Sequence, residues 1–196
     1  MTRIQSAPVD RMDEVSNELQ SLATAMGFEA NSFKSMAHRP AILRGFMALA
    51  GSILGPDSNL DKGLRQMIAY ISSAASGCRY CQAHTSHGAE VAGVDVKKLE
   101  SLWLFETSDL FDDRERAALS LALAAGQVPN MATDDHFSTL SNYFSDEEIT
   151  EIVAVISLFG FLNRWNDTLA TQLEKGPLTF AETHLKESGW EVGNHS

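Results

Sequence analysis

Apolar residues recur along this chain at intervals of three and four, and no segment alternates strictly over the length of a strand. Val15, Leu19, Leu22 and Met26 keep helical spacing and Gly27 closes them, which predicts an amphipathic helix over residues 9–26. After a connection at 28–31, residues 32–38 read as a short helix. Pro40 stands where a first helical turn tolerates it. A strongly apolar helix over 41–54 follows, carrying Ile42, Leu43, Phe46, Met47, Leu49 and Ile53. Its methionines and phenylalanines suit a core or the wall of a substrate pocket. Gly55-Pro56-Asp57-Ser58 stops that helix and offers a new N-cap. The next helix, 60–75, buries Leu64, Met67, Ile68, Ile71 and Ala75 and leaves Gln66 outside the stripe. Helix-compatible residues then run over 81–93, and Asp95 caps a short helix to 103.

In the second half, Asp112 or Asp113 caps a helix to 125, and a short helix spans 136–144. Ser145 with Glu148 forms a capping box that opens the longest helix, to about 174, where Gly176-Pro177 is expected to end it. A short helix over 180–186 and a polar tail complete the chain. Between 149 and 162 the long helix is apolar on nearly all sides, as expected of a central helix or one covered by a neighbouring subunit. Near its end Arg164 and Asp167 stand three apart and are expected to pair, with a carboxylate ligand or a partner subunit as the other use of Arg164. Glu115 is expected to complement the dipole of its helix, and His136 to be solvated.

The pattern is all-α. It predicts a single domain over 1–196, made of N-terminal helices 9–54, a core 60–100, C-terminal helices 112–175 and a tail 178–196. With 196 residues the chain can build a core without staples. Fifteen Lys and Arg against 26 Asp and Glu leave a formal charge of −11, which repels nucleic-acid backbones and anionic lipid heads. The N-terminal residues lack a secretory pattern. The longest apolar run, 152–162, is too short to cross a membrane. A cytoplasmic protein is expected, and in that compartment paired cysteines are more often catalytic than structural.

Both cysteines of the chain fall in one segment, Cys78-Arg79-Tyr80-Cys81, followed by His84 and His87. A thiol attacks as its thiolate, and a helix N-terminus is one place that stabilises the anion. Ser76-Gly77 can break the incoming helix and place the pair at the start of the next. Cys81 and His84 then share a helix face, so the imidazole can take the thiol proton or pair with the thiolate. Cys78, one turn upstream, can close a disulfide with Cys81 once Cys81 is oxidised. Two plainer uses compete: a pair of inert buried thiols, and a structural zinc held by Cys78, Cys81, His84 and His87. The spacing argues against zinc, because at about 100° per residue an unbroken helix turns His87 away from Cys78. His87 is expected to be solvated or at an interface, and Tyr80 to pack, with a hydroxyl that could meet a substrate.

Residues 64–89, LRQMIAYISSAASGCRYCQAHTSHGA, resemble the core motif of the carboxymuconolactone decarboxylase-like proteins, and within them the alkylhydroperoxidase AhpD branch. RERAALSLALA from Arg114 and ISLFGFLNRWNDTLA from Ile156 are similar to the later helices of that family, so the likeness covers roughly 40–174. It implies an AhpD-like helical bundle with the Cys-x-x-Cys at a helix N-terminus, assembled as dimers, trimers or hexamers. It further implies a thiol-dependent peroxidase. Cys81 would be the peroxidatic cysteine and Cys78 the resolving one, with His84 as the activating histidine. The implied cofactor is none beyond the redox-active disulfide Cys78–Cys81. The implied partners are a hydroperoxide and an external dithiol reductant. The sequence departs from the family pattern twice. His84 follows Cys81 by three residues where the family places its histidine at four. Gln66 stands where the family has a glutamate, and an amide cannot take a proton at neutral pH, so water must substitute there or the activity is weak. A lactone decarboxylase-type lyase and a non-catalytic redox-sensing module are the competing functions.

Overall fold

A computed structural model describes residues 2–196. Among them the regular structure is helical throughout: α1 Val9–Glu14, α2 Ser16–Met26, α3 Asn31–Met36, α4 Pro40–Leu54, α5 Lys62–Ala75, α6 Arg79–Val91, α7 Val96–Glu100, α8 Asp113–Ala125, α9 Asp134–Leu140, α10 Asp146–Leu169 and α11 Lys175–His184. Short 3-10 turns follow α7 and close the chain.

The centre is the antiparallel pair α5 and α6. Helices α8 and α10 pack on α5, and α11 packs on α6. The buried face of α5 is Leu64, Met67, Ile68 and Ile71, as its periodicity predicts. Tyr70, expected of neither face, is buried as well. A second, smaller core gathers Val15, Phe33, Met36, Leu43 and Phe46 under α10, which contributes Leu158. Ile53, Leu54 and Leu162 touch both cores.

Local chemistry sets the boundaries. Asp61, rather than Ser58, caps α5, accepting from the N–H groups of Gly63 (2.8 Å) and Leu64 (3.1 Å). Ser58 instead donates to Glu151 on α10 (2.5 Å). Helix α5 stops at Ser76, and Gly77 turns the chain at φ +79°, a left-handed conformation that favours glycine. The capping boxes Asp112/Glu115 and Ser145/Glu148 both form. Arg114 on α8 then reaches Glu148 on α10 at 2.6 Å. Arg65, only 4% exposed, donates to the carbonyls of Ile53 (3.3 Å) and Gly55 (3.0 Å) at the C-terminal end of α4. A cation there complements the dipole.

Three further expectations fail. Residues 9–26 are two helices, because Val15 turns inward to full burial at φ −121°, ψ 22°. Arg164 does not pair with Asp167. Its guanidinium folds back to the Gly160 carbonyl at 2.8 Å, and Asp167 faces His195 at 3.5 Å. The long helix ends at Leu169, where Ala170 adopts φ 49°. Gly176-Pro177 therefore lies in the first turn of α11, where proline costs little.

Candidate active site

Cys78 is the N-cap of α6, and its Sγ accepts from the Cys81 N–H at 3.5 Å. The two thiols are free and buried, at 0% and 2% exposure. The Cys-x-x-Cys thus stands at a helix N-terminus, with the upstream sulfur filling a role usually taken by serine or aspartate.

Cys81 lines an apolar cavity of about 470 Å³ walled by residues of α2, α3, α4, α5, α6 and α10. Leu22 and Met26, Phe46 and Met47, and Phe159 and Leu162 supply much of its wall. Gln66, His84, Thr85, His87 and Asn166 are among its polar lining groups, and Cys78 is not part of the lining. The sequence candidates Cys81, His84 and Gln66 therefore share one space. His87, expected to be solvated or at an interface, faces the same cavity between Phe28 and Phe180, and burial pushes its imidazole below the ordinary value. Gln66 packs on the backbone of Gly88, where a Cβ would come within 2.9 Å of its Oε1.

A helix terminus does not make Cys81 a thiolate at rest. Burial, then the hydrogen bond and charge of Cys78, push its thiol well above the ordinary value. The dipole contributes up to about 2 kcal/mol, against several kcal/mol for taking an ion out of water, so burial wins. The opposing contribution comes from Asn166, which donates its Nδ2–H to Cys81 Sγ at 3.6 Å. Asn166 was not singled out in the sequence. The one signal for it is a pair of amides, Asn163 and Asn166, interrupting an apolar helix, and both are buried.

Among the described residues His84 makes no hydrogen bond to either sulfur. Its Nε2 meets Glu174 Oε2 at 2.6 Å, with both side chains about nine-tenths buried. Glu174 Oε1 also accepts from the Tyr80 hydroxyl (2.9 Å) and from the Asn31 N–H (2.5 Å). Tyr80 stacks on His84 at 4.3 Å between centroids. Burial alone would raise the Glu174 carboxyl, but the hydrogen bond and charge of His84, with those two donors, hold it below the usual range. Glu174 is the N-cap residue of α11, yet its side chain leaves its own helix to reach α6. Residues 170–174 are tied on both sides: Thr171 N–H to Asn166 O (3.0 Å), Leu173 N–H to His195 O (2.8 Å), and Asn31 Nδ2–H to Gln172 O (3.0 Å).

The family model for carboxymuconolactone decarboxylases matches residues 40–124, which holds the whole of α4 to α6 and nearly all of α8. Crystal structures of the debrominase Bmp8, free and as a cysteine-to-alanine variant in complex with 2,3,4-tribromopyrrole, superpose with a TM-score of 0.85 at 31–32% identity, covering 93% of this chain and 97% of theirs. The chain belongs to the carboxymuconolactone decarboxylase family. A second family structure, a peroxidase-related protein of Ralstonia eutropha JMP134 with an alkylhydroperoxidase AhpD core, gives a TM-score of 0.80 at 25% identity over 92% of this chain and 95% of that one. YnjA of Escherichia coli K12 is 29% identical over 112 residues, 57% of this chain and 62% of YnjA. Gln66 lines the cavity, and the carboxylate paired with His84 is Glu174, at the start of α11.

Proposed function

We propose that the protein is a dithiol-dependent reductase of small apolar substrates, with organic hydroperoxides as the substrate class. One observation supports this most: a thiol backed by a second thiol one turn away opens onto an apolar cavity beside a buried histidine–carboxylate pair. Cys81 sulfur attacks the distal oxygen of ROOH. The S–O bond forms as the O–O bond breaks, and ROH leaves with the thiol proton, giving Cys81 sulfenic acid. Cys78 sulfur then displaces water to close the disulfide. An external dithiol returns both thiols by exchange and is itself oxidised. Because the thiol is protonated at rest, the attack needs a base in the same step, and we assign that role to His84, which lines the same cavity. Self-association would cover Ile42 and Leu49 on α4 and Val153 and Phe161 on α10, all 40–52% exposed.

Turnover of cumene hydroperoxide with dithiothreitol tests the reading. Cys81→Ser is expected to abolish it, and Cys78→Ser to slow recycling, because the Cys81 sulfenic acid must then react with dithiothreitol directly. Undiminished turnover in both variants would end the hypothesis.

The likeness to Bmp8 favours a second reading, reductive debromination of a bromopyrrole-like ring. Cys81 would take the bromine while a proton replaces it on carbon, and Cys78 would displace bromide to form the same disulfide. Bromide release from 2,3,4-tribromopyrrole, compared with peroxide turnover, separates the two.

A further inference from the structure

We infer that Glu174 is a positioning residue that fixes the tautomer of His84, making Nδ1 the nitrogen that takes the Cys81 proton. An ionised carboxylate only accepts hydrogen bonds. At 2.6 Å from Glu174 Oε2, His84 Nε2 must therefore carry a proton, and in the neutral imidazole Nδ1 keeps its lone pair. Nδ1 has no hydrogen-bond partner among the described residues, and the ring lines the same cavity as the Cys81 sulfur. The other carboxylate oxygen is occupied by the Asn31 N–H and the Tyr80 hydroxyl, and Phe28 closes the ring edge-on at 5.4 Å. The titratable groups facing the pair are Tyr80 on α6, His87 one turn along α6, and His195 of the tail, which lies against Tyr80 at 5.8 Å. The family pattern puts its carboxylate at position 66. Here the start of α11 supplies it, and the Gln66 amide is left to the cavity.

The donor pattern makes Glu174→Gln a sharp test. A hydroxyl can reverse and accept, but the Asn31 backbone N–H can only donate. The new amide must therefore keep its carbonyl oxygen at the Oε1 position and turn its NH2 toward His84. That forces Nε2 to accept and moves the ring proton to Nδ1, the nitrogen needed as the base.

The inference rests on Cys81 being the attacking thiol, so its test includes a readout independent of turnover. In histidine-labelled wild-type protein, nitrogen NMR at pH 8 is expected to show His84 as the Nε2–H tautomer, and in Glu174→Gln as the Nδ1–H tautomer. The kcat/KM for cumene hydroperoxide should fall about a hundredfold or more in the variant, the range of a lost general base, with a folded far-UV spectrum retained. An Nδ1–H tautomer in the wild type overturns the inference, and decides the matter even if the variant does not fold. A flipped tautomer with kcat/KM within about threefold of wild type overturns the positioning role. If wild-type protein turns over no peroxide, the hydroperoxide reading fails, while the tautomers still decide the inference.

Discussion

Replacing Asn166 with leucine separates what helps the sulfur from what helps the fold. Among the described residues its Nδ2–H is the one side-chain amide on Cys81 Sγ, at 3.6 Å, and its Oδ1 is buried without a partner. A hydrogen bond to a charged group contributes about 1.5–3 kcal/mol, and 1.36 kcal/mol is a tenfold change in population. Asn166→Leu should therefore cut the Cys81 thiolate population at fixed pH about ten- to hundredfold. A more basic thiolate is also a better nucleophile, with a Brønsted slope near 0.4–0.5, so the rate at fixed pH should fall only about 3- to 15-fold. Stability should move the other way or not at all. The leucine removes an unpaired buried oxygen that costs roughly 1–3 kcal/mol and fills a similar volume. The assay is the pH dependence of iodoacetamide alkylation in a Cys78→Ser background, where one thiol remains, with Tm measured alongside. An alkylation profile that does not shift to higher pH refutes the role given to Asn166. A fall in Tm of more than about 5 °C, which exceeds 1 kcal/mol for a chain of this length, refutes the stability half.

Three further outcomes are expected. Gly126→Ala places a Cβ 2.7 Å from the Ser72 carbonyl oxygen and 2.9 Å from its Cα; neither is a flexible side chain, so urea melts should show a loss of roughly 1–3 kcal/mol, and an unchanged midpoint would contradict the packing of α8 on α5. Leu22→Trp intrudes on the cavity wall and should weaken cumene hydroperoxide use far more than hydrogen peroxide use; equal losses would place the substrate elsewhere. Stability should fall on acidification in two windows. His87 and His195 are pushed below the ordinary histidine value by burial, so the unfolded chain binds more protons, and Tm drops as pH falls from about 6.5. Glu174 is held below its ordinary value, so its contribution is intact above about pH 4.3 and lost as pH falls through its folded value. Glu174→Gln should flatten only the lower limb of Tm against pH.

The parts of this site that were legible in the sequence are the local ones. Cys78, Cys81 and His84 fall within two turns, and a Ser-Gly break before them places a helix start without knowledge of the rest of the chain. The capping boxes at Asp112 and Ser145 read just as directly. What was missed depends on contacts about 85 to 90 residues away. Gly-Pro is ambiguous, since proline suits a first helical turn as well as a helix stop. Reading Gly176-Pro177 as a stop extended α10 to 174 and hid the reversal at Ala170 that sends Glu174 to His84. Asn166 looked like one polar residue among several near a helix end. The high proton affinity of Cys81 comes from its burial, to which α10 contributes through Asn166, and the motif does not encode that burial.

The segment 170–174 joins the residue that touches the sulfur to the residue that touches the imidazole. Asn166 stands just before it and Glu174 ends it, with anchors at Asn31 and His195 between. Its spacer length therefore sets the register between two chemical partners on neighbouring helices. Inserting or deleting a single residue there would desynchronise the amide and the carboxylate without changing one residue of the Cys-x-x-Cys helix.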